Sequence, residues 1–210
     1  GEQVEVRMGI SYVSTENARK NLDAEQAADA TFDSIREQAR RSWNEALGRI
    51  RVEGGTGEQQ RVFYTALYHA LLHPNLVSDV NGEYPLMERS GETGVTDGER
   101  YTVFSLWDTY RNLHQLMTLV YPERQLEMVR SMIGMYKEWG WLPKWELYGR
   151  ETFTMEGDPA IPVIVDTWMK GLRDFDMDAA YEAMRKSATT PGAQNRMRPD
   201  IDPYIEKGYI

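Results

Sequence analysis

The sequence predicts a mainly α-helical protein. Apolar residues recur at helical spacing in several successive segments, most clearly in 31–50, where Phe32, Ile35 and Trp43 fall on one face. Breaks that are rich in glycine or contain proline separate these segments, as expected of helices joined by loops. An alternating pattern typical of a β-strand appears at the N-terminus, in residues 4–8. These observations favour an array of helices with a strand at its start.

The first predicted element is that short β-strand. Val4, Val6 and Met8 alternate with charged residues, which is the pattern of a half-buried strand. One strand cannot form a domain, so we interpret residues 1–25 as the closing strand and end of an N-terminal sheet. Residues 26–57 then contain an amphipathic connecting helix, which a glycine-rich stretch ends.

The remaining pattern is helical with long loops. Predicted helices span 58–73, 102–120, 123–139, 160–175 and 177–187. The polar segment 78–100 is longer than most structureless connections, so we expect a pocket-forming loop or a short hairpin there. The candidate functional residues fall in the loops at one end of these consecutive helices. That arrangement indicates the helical hairpins of an (α/α)6 toroid. We therefore assign residues 58–210 to the first part of such a domain.

Composition excludes several classes of function. A net charge of -9 argues against nucleic acid, whose phosphates require a basic surface. No apolar run approaches the roughly 20 residues of a membrane-spanning helix. The absence of cysteine excludes disulfides, thiolate metal sites and a cysteine nucleophile. Phosphate-cradling and dinucleotide glycine motifs, the serine nucleophile elbow and the zinc-binding H-E-x-x-H pattern are also missing.

Aromatic and acidic residues occur together in three clusters. The clusters are Ser105-Leu106-Trp107-Asp108-Thr109-Tyr110-Arg111, Gly140-Trp141-Leu142-Pro143-Lys144-Trp145-Glu146-Leu147 and Gly157-Asp158-Pro159-Ala160-Ile161-Pro162. A pyranose presents an apolar C–H face that stacks on an indole, and hydroxyls that carboxylates accept from. The clusters therefore predict a sugar-binding pocket.

Each cluster also has a purely structural interpretation. Trp107 falls on the apolar stripe of the predicted helix 102–120, and Asp108 and Arg111 could form a surface pair. The tryptophan-rich loop could be a hydrophobic plug at a helix end. Asp158 is a favoured N-cap and Pro159 a favoured first helical residue. The three histidines, His69, His73 and His114, lack ligand partners at metal spacing and are interpreted as packed or hydrogen-bonded core residues.

The clusters, in this order, resemble the calcium-dependent exo-acting α-mannosidases of glycoside hydrolase family 92. Two further stretches carry the resemblance, Gly9-Ile10-Ser11-Tyr12-Val13-Ser14 and Phe63-Tyr64-Thr65-Ala66-Leu67-Tyr68. The resemblance implies that Trp107 and Asp108 line the pocket for a terminal mannose, with Arg111 as an orienting partner. It also implies that Trp145, Glu146 and Asp158 line or border that pocket.

The resemblance implies an inverting mechanism, a mannose-containing glycan as substrate and Ca²⁺ as cofactor, with no ligand assigned. It places both catalytic carboxylates beyond Ile210, so Glu146 is the one weak catalytic candidate inside these residues. We therefore expect the segment to need the remainder of its catalytic domain for activity. The implied location is the periplasm or cell surface of a bacterium, or outside the cell after secretion. The resemblance also implies that the sheet ending in residues 1–25 is an N-terminal β-sandwich. Another (α/α)6 glycosidase or lyase, or a non-catalytic glycan-binding module, stays open as an alternative.

Overall fold

The computed structural model describes residues 4–210, and within them the fold is mainly helical, as the sequence predicts. The α-helices are α1 (Thr15–Glu25), α2 (Phe32–Leu47), α3 (Gly57–Ala70), α4 (Leu106–Thr109), α5 (Leu113–Val120), α6 (Pro122–Trp139), α7 (Ala160–Met169), α8 (Met177–Thr189) and α9 (Ile201–Lys207). The short strands are β1 (Asn75–Leu76), β2 (Glu83–Pro85), β3 (Thr93–Val95), β4 (Tyr101–Thr102), β5 (Phe104–Ser105), β6 (Trp145–Leu147) and β7 (Arg150–Glu151). Among these residues no helix is both long and apolar enough to cross a membrane.

Helix α6 is the centre of the main core. It begins with Pro122, whose fixed φ suits a first helical turn, and ends at Gly140, which adopts a left-handed φ of 95°. Its buried face packs against α5, α7 and α8, and Val129 and Met132 on that face are fully buried. Each such side chain stabilises the fold by about 1.5–3 kcal/mol relative to an exposed one. The predicted helix 123–139 is thus confirmed as the main packing element.

Strands β2 and β3 form the hairpin that the long segment 78–100 predicts as one alternative. Tyr84 lies opposite Gly94 in the antiparallel register. Arg100, which follows the hairpin, binds Glu138 of α6 by two parallel hydrogen bonds of 2.9 Å in a nearly buried ion pair. The Tyr84 hydroxyl donates to the same carboxylate at 3.1 Å.

The predicted single helix 102–120 is wrong. The segment starts as strands β4 and β5, separated by Val103 at a φ of 64°, and becomes helical only at α4 and α5. Thr102 and Phe104 are good strand formers, and pairing of β5 with β6 overrides the helical spacing. Helical periodicity was therefore a poor guide to a segment that alternates between two structures.

The predicted N-terminal strand does not form within the described residues. Residues 4–10 have no regular secondary structure, and Val4, Val6 and Met8 are 84%, 78% and 71% exposed. A strand needs a hydrogen-bonded neighbour, and none is present among residues 4–210. Residues 1–3 of the predicted strand segment lie outside the described part. The β-sandwich, the (α/α)6 toroid and the domain boundaries remain predictions.

The other helices differ from prediction mainly at their ends. The connecting helix predicted within 26–57 is α2, which Thr31 and Ser34 start with a reciprocal capping box. Helix α7 stops at Met169 rather than 175, two residues before Gly171 with its φ of 92°. Helices α1 and α9 were not predicted.

Candidate functional site

The first two aromatic and acidic clusters meet in a small antiparallel sheet. Strands β5 and β6 pair so that Phe104 lies opposite Glu146 and Ser105 lies opposite Trp145. The ladder is extended by Leu106, whose backbone N–H donates to the carbonyl of Lys144 at 3.2 Å. The one-turn helix α4 starts directly after this ladder, so Trp107 and Asp108 emerge beside the tryptophan-rich loop.

The third cluster joins them through a glycine. A Cβ atom built at Gly157 would lie 3.8 Å from Cζ3 of Trp107, so this backbone packs against the edge of the indole. Gly157 has a φ of 69°, a conformation that a residue with a side chain adopts only under strain. The third cluster thus contacts the first at Trp107, and the second cluster joins the first through the pairing of β5 with β6.

Trp107 is half-buried, and its ring makes a cation–π contact with Arg111. The Arg111 guanidinium lies 4.8 Å from the ring centroid and 5.3 Å from that of Tyr110. Arg111 Nε also donates to the Trp107 carbonyl at 3.3 Å. Arg111 thus braces the turn that bears Trp107, and no salt bridge between it and Asp108 forms among the described residues.

Asp108 is exposed and held at one oxygen. The Ser105 hydroxyl donates to its Oδ2, across the turn from the strand to the helix. The other oxygen remains available as an acceptor. Sequence reasoning missed Ser105, although a hydroxyl three residues before a carboxylate at a helix start is a known capping spacing.

Asp158 is not the helix cap that the sequence predicts. Helix α7 begins at Ala160 with Pro159 as its N-cap residue, and no side-chain cap bond forms. Instead the Ser187 hydroxyl of α8 donates to Asp158 Oδ2, while Oδ1 is buried with no protein partner among the described residues. Burial raises the pKa of this carboxyl, and the Ser187 bond opposes the shift.

Glu146 faces the interior, contrary to the expectation that it borders the pocket. It is 1% exposed and accepts hydrogen bonds from the Thr102 hydroxyl at 2.8 Å, Val103 N–H at 3.0 Å and Gly149 N–H at 2.6 Å. Burial raises the pKa of Glu146, and these bonds act in the opposite direction. Both carboxylate oxygens of Glu146 thus accept hydrogen bonds from the protein itself. The side chain therefore stabilises the small sheet from within.

The comparison with known families agrees with the motif resemblance. The family model for the glycosyl hydrolase family 92 catalytic domain matches residues 17–210. The chain belongs to glycosyl hydrolase family 92.

Solved structures of family 92 share both sequence and fold with this chain. The inverting mannosidase BT2199 of Bacteroides thetaiotaomicron is 36% identical with a TM-score of 0.84, covering 95% of this chain and 27% of its own. The α-mannosidase BT3965 of the same organism, in complex with mannoimidazole, is 34% identical with a TM-score of 0.83, covering 92% of this chain and 25% of its own.

A curated relative is also similar. It is an uncharacterized secreted glycosidase of Arthroderma benhamiae, 28% identical over 190 residues, which are 89% of this chain and 20% of the relative. The chain thus spans about a fifth to a quarter of the length of these relatives.

Two side chains beside the candidate site were not identified from the sequence. Glu151 is buried and accepts from the backbone N–H groups of Lys144 at 2.8 Å and Trp145 at 3.0 Å, which fixes the tryptophan-rich loop. Tyr148 turns the chain between β6 and β7 at a φ of 48° and stacks on Tyr12 with ring centroids 4.2 Å apart. Both depend on tertiary contacts that leave no local sequence signal.

The calcium ion that the resemblance implies has no cluster of acidic side chains to hold it among the described residues. Among residues 4–210 no group of three or more histidine or acidic side chains is arranged to hold a metal. A cavity of about 460 Å³ lies between the β2–β3 hairpin and α6, lined by residues such as Arg100 and Glu127. None of its lining residues belongs to the three clusters, so this cavity is separate from the candidate site.

Proposed function

We propose that this chain supplies sugar-binding residues of an inverting, exo-acting α-mannosidase. The observation that carries the proposal is that the first cluster contacts the other two, through the β5–β6 pairing and through Gly157 against Trp107, with Asp108 exposed beside it. The indole offers a face to the apolar side of a mannose ring, and the free oxygen of Asp108 accepts from a sugar hydroxyl. Trp145 adds a second half-buried indole at the start of β6, the central strand of the small sheet.

The proposal assigns binding rather than proton transfer to this segment. An inverting glycosidase needs a carboxylic acid and a carboxylate about 6.5–9.5 Å apart on opposite sides of the sugar. Glu146 cannot serve, because three donors of the chain occupy its oxygens inside the sheet. The acid, the base and the calcium ligands would come from other parts of the catalytic domain. The relatives described as mannosidases support mannose as the sugar.

We further propose action outside the cytoplasm on mannose-containing glycans. The secreted relative supports export, and the negative charge of this chain suits a neutral glycan better than a polyanion. The periplasm or the cell surface of a bacterium is the location that the family resemblance favours.

The test uses a protein of full family length that carries these residues, hereafter the full-length protein. Aryl α-mannosides and aryl α-glucosides are compared, and the first-formed anomer is followed by NMR. The proposal predicts release of β-mannose from the α-mannoside and little action on the glucoside. Preference for glucose would support another glycosidase, and binding of mannosides without hydrolysis would support a non-catalytic module. Either outcome contradicts the proposal.

A further inference from the structure

A buried chain of hydrogen bonds runs from α7 to the turn that carries Trp107 and Asp108. It links Thr167, Gln125, His114 and Thr109 through contacts of 2.9, 3.0 and 3.0 Å. Thr167, Gln125 and His114 are at most 1% exposed. Thr109 is the last residue of α4 and follows Asp108 directly. This series of hydrogen bonds therefore connects the candidate site to the middle of the helical core.

The donor and acceptor of each hydrogen bond follow from the bond that Thr167 makes at the end of the series. The Thr167 hydroxyl donates to the Val163 carbonyl at 2.7 Å, so it accepts from the Gln125 amide N–H. The Gln125 amide oxygen then faces His114 Nδ1, and an oxygen can only accept. The opposite amide orientation would give the single Thr167 proton two acceptors.

His114 Nδ1 must therefore carry a hydrogen. Complete burial lowers the pKa of His114 to about 4, so the ring is neutral near neutral pH, with the charge of Asp166 acting weakly in the other direction. In a neutral ring with Nδ1 protonated, Nε2 is an acceptor. The Thr109 hydroxyl consequently donates to Nε2.

Helix α4 needs such an anchor. It has four residues, and neither it nor α5 has a side-chain cap at its start. A single helical turn is not stable without tertiary contacts, because nucleation costs more than one hydrogen bond returns. The Tyr110 N–H to Leu106 carbonyl bond of 2.9 Å is the helical bond that closes this turn.

We infer that His114, in its Nδ1–H form, is a positioning residue that holds the Thr109 hydroxyl and thereby orients Trp107 and Asp108. The inference rests on the proposed function for its catalytic consequence, although the anchoring itself does not. These hydrogen bonds have fixed directions and hold the half-buried Thr109 side chain in one rotamer, which in turn fixes the backbone of the site. A shift of about 1 Å in such a group can cost about 100-fold in rate.

The first experiment separates the hydroxyl from the shape of the side chain. Thr109→Val removes the donor and keeps the volume, whereas Thr109→Ser keeps the donor. We expect Thr109→Val to lower kcat/KM of the full-length protein on an α-mannoside by about 10- to 100-fold, and Thr109→Ser to restore most of it. The matched control is Thr118→Val on α5, whose hydroxyl bonds only to the Gln115 carbonyl of its own helix. Equal kinetics for Thr109→Val and wild type would overturn the inference.

Two further readouts do not depend on activity. Amide exchange of a peptide containing Tyr110 should be faster in Thr109→Val and unchanged in Thr109→Ser. The nitrogen shifts of isotope-labelled histidine, assigned with His114→Gln, should show a neutral Nδ1–H ring from about pH 5.5 to 8. An Nε2–H ring for His114 contradicts the positioning role. Amide exchange that is equally fast in Thr109→Val and wild type contradicts it as well. A wild type that shows both expected readouts but hydrolyses no α-mannoside would contradict the proposed function and leave the positioning role standing.

Discussion

Ser105 lies directly opposite Trp145 in the antiparallel pairing of β5 and β6. This pair brings together residues of two clusters that lie 40 positions apart in the sequence (105 to 145), and β5 itself has two residues. So short a ladder is marginal alone, because isolated pairs of strands are barely stable in water. The buried carboxylates of Glu146 and Glu151 therefore carry much of the order in this corner of the molecule.

The first prediction concerns Glu146→Gln. The substitution keeps the shape but replaces one acceptor oxygen by an N–H₂ group that faces the donors of Val103 or Gly149. A buried donor left without an acceptor costs about 1–3 kcal/mol. We expect chemical denaturation of the full-length protein to show a loss of that size.

Glu156→Gln is the control for this prediction, because Glu156 is an exposed carboxylate ten positions after Glu146 in the sequence. It should change the free energy of unfolding by less than about 0.5 kcal/mol. Equal stability of Glu146→Gln and wild type would contradict the organising role of Glu146.

The sequence predicted helices better than it predicted contacts between side chains. The α6 helix was predictable because Pro122, Gly140 and a regular apolar face all indicate one structure. The segment 102–120 was not, because the pairing that turns Phe104 into a strand residue comes from β6, 42 positions later. The three clusters were recognisable as sugar-binding candidates, yet burial of Glu146 and the Ser187 partner of Asp158 depend on tertiary packing alone.

The second prediction concerns Asp79, which binds the N-terminal segment to the start of the β2–β3 hairpin. Its carboxylate accepts from Ser11 at 2.7 Å, Asn17 at 2.8 Å and Asn21 at 2.7 Å, and Asn17 and Asn21 are buried on α1. Asp79→Asn replaces one accepting oxygen by a donor, so at least one of these groups loses its partner. We expect α1 to open more often.

Limited trypsin digestion measures that opening, since Arg19 lies on α1. Cleavage there should be at least about fivefold faster in Asp79→Asn, which corresponds to about 1 kcal/mol of local stability. The isosteric control is Asp97→Asn at an exposed site. Identical digestion of Asp79→Asn and wild type would argue against the network.

The third prediction is a pH dependence. The pKa of His114 is about 4 in the fold, against its ordinary value of 6.5, so between these values the unfolded chain binds the proton and the fold does not. The contribution of the neutral ring is complete above pH 6.5 and is lost as the pH falls towards 4. We expect the stability difference between wild type and His114→Gln to shrink by up to about 3 kcal/mol over that range.

Denaturant unfolding of both proteins at several pH values checks this expectation. The exposed His73 provides a control, because His73→Gln should change the free energy of unfolding little at any of them. A stability difference for His114→Gln that stays constant with pH would mean that the ring titrates alike in the folded and unfolded states.

The central claim is that Asp108 contacts the sugar, and kcat/KM of Asp108→Ala on an aryl α-mannoside tests it most directly. Hydrogen bonds from sugar hydroxyls to a charged group are worth about 1.5–3 kcal/mol each and can strengthen in the transition state. We predict a loss of at least about 100-fold in the full-length protein, with an unchanged melting temperature. Asp29→Ala, at an exposed carboxylate, should retain wild-type kinetics. Unaltered kinetics of a folded Asp108→Ala would contradict the account.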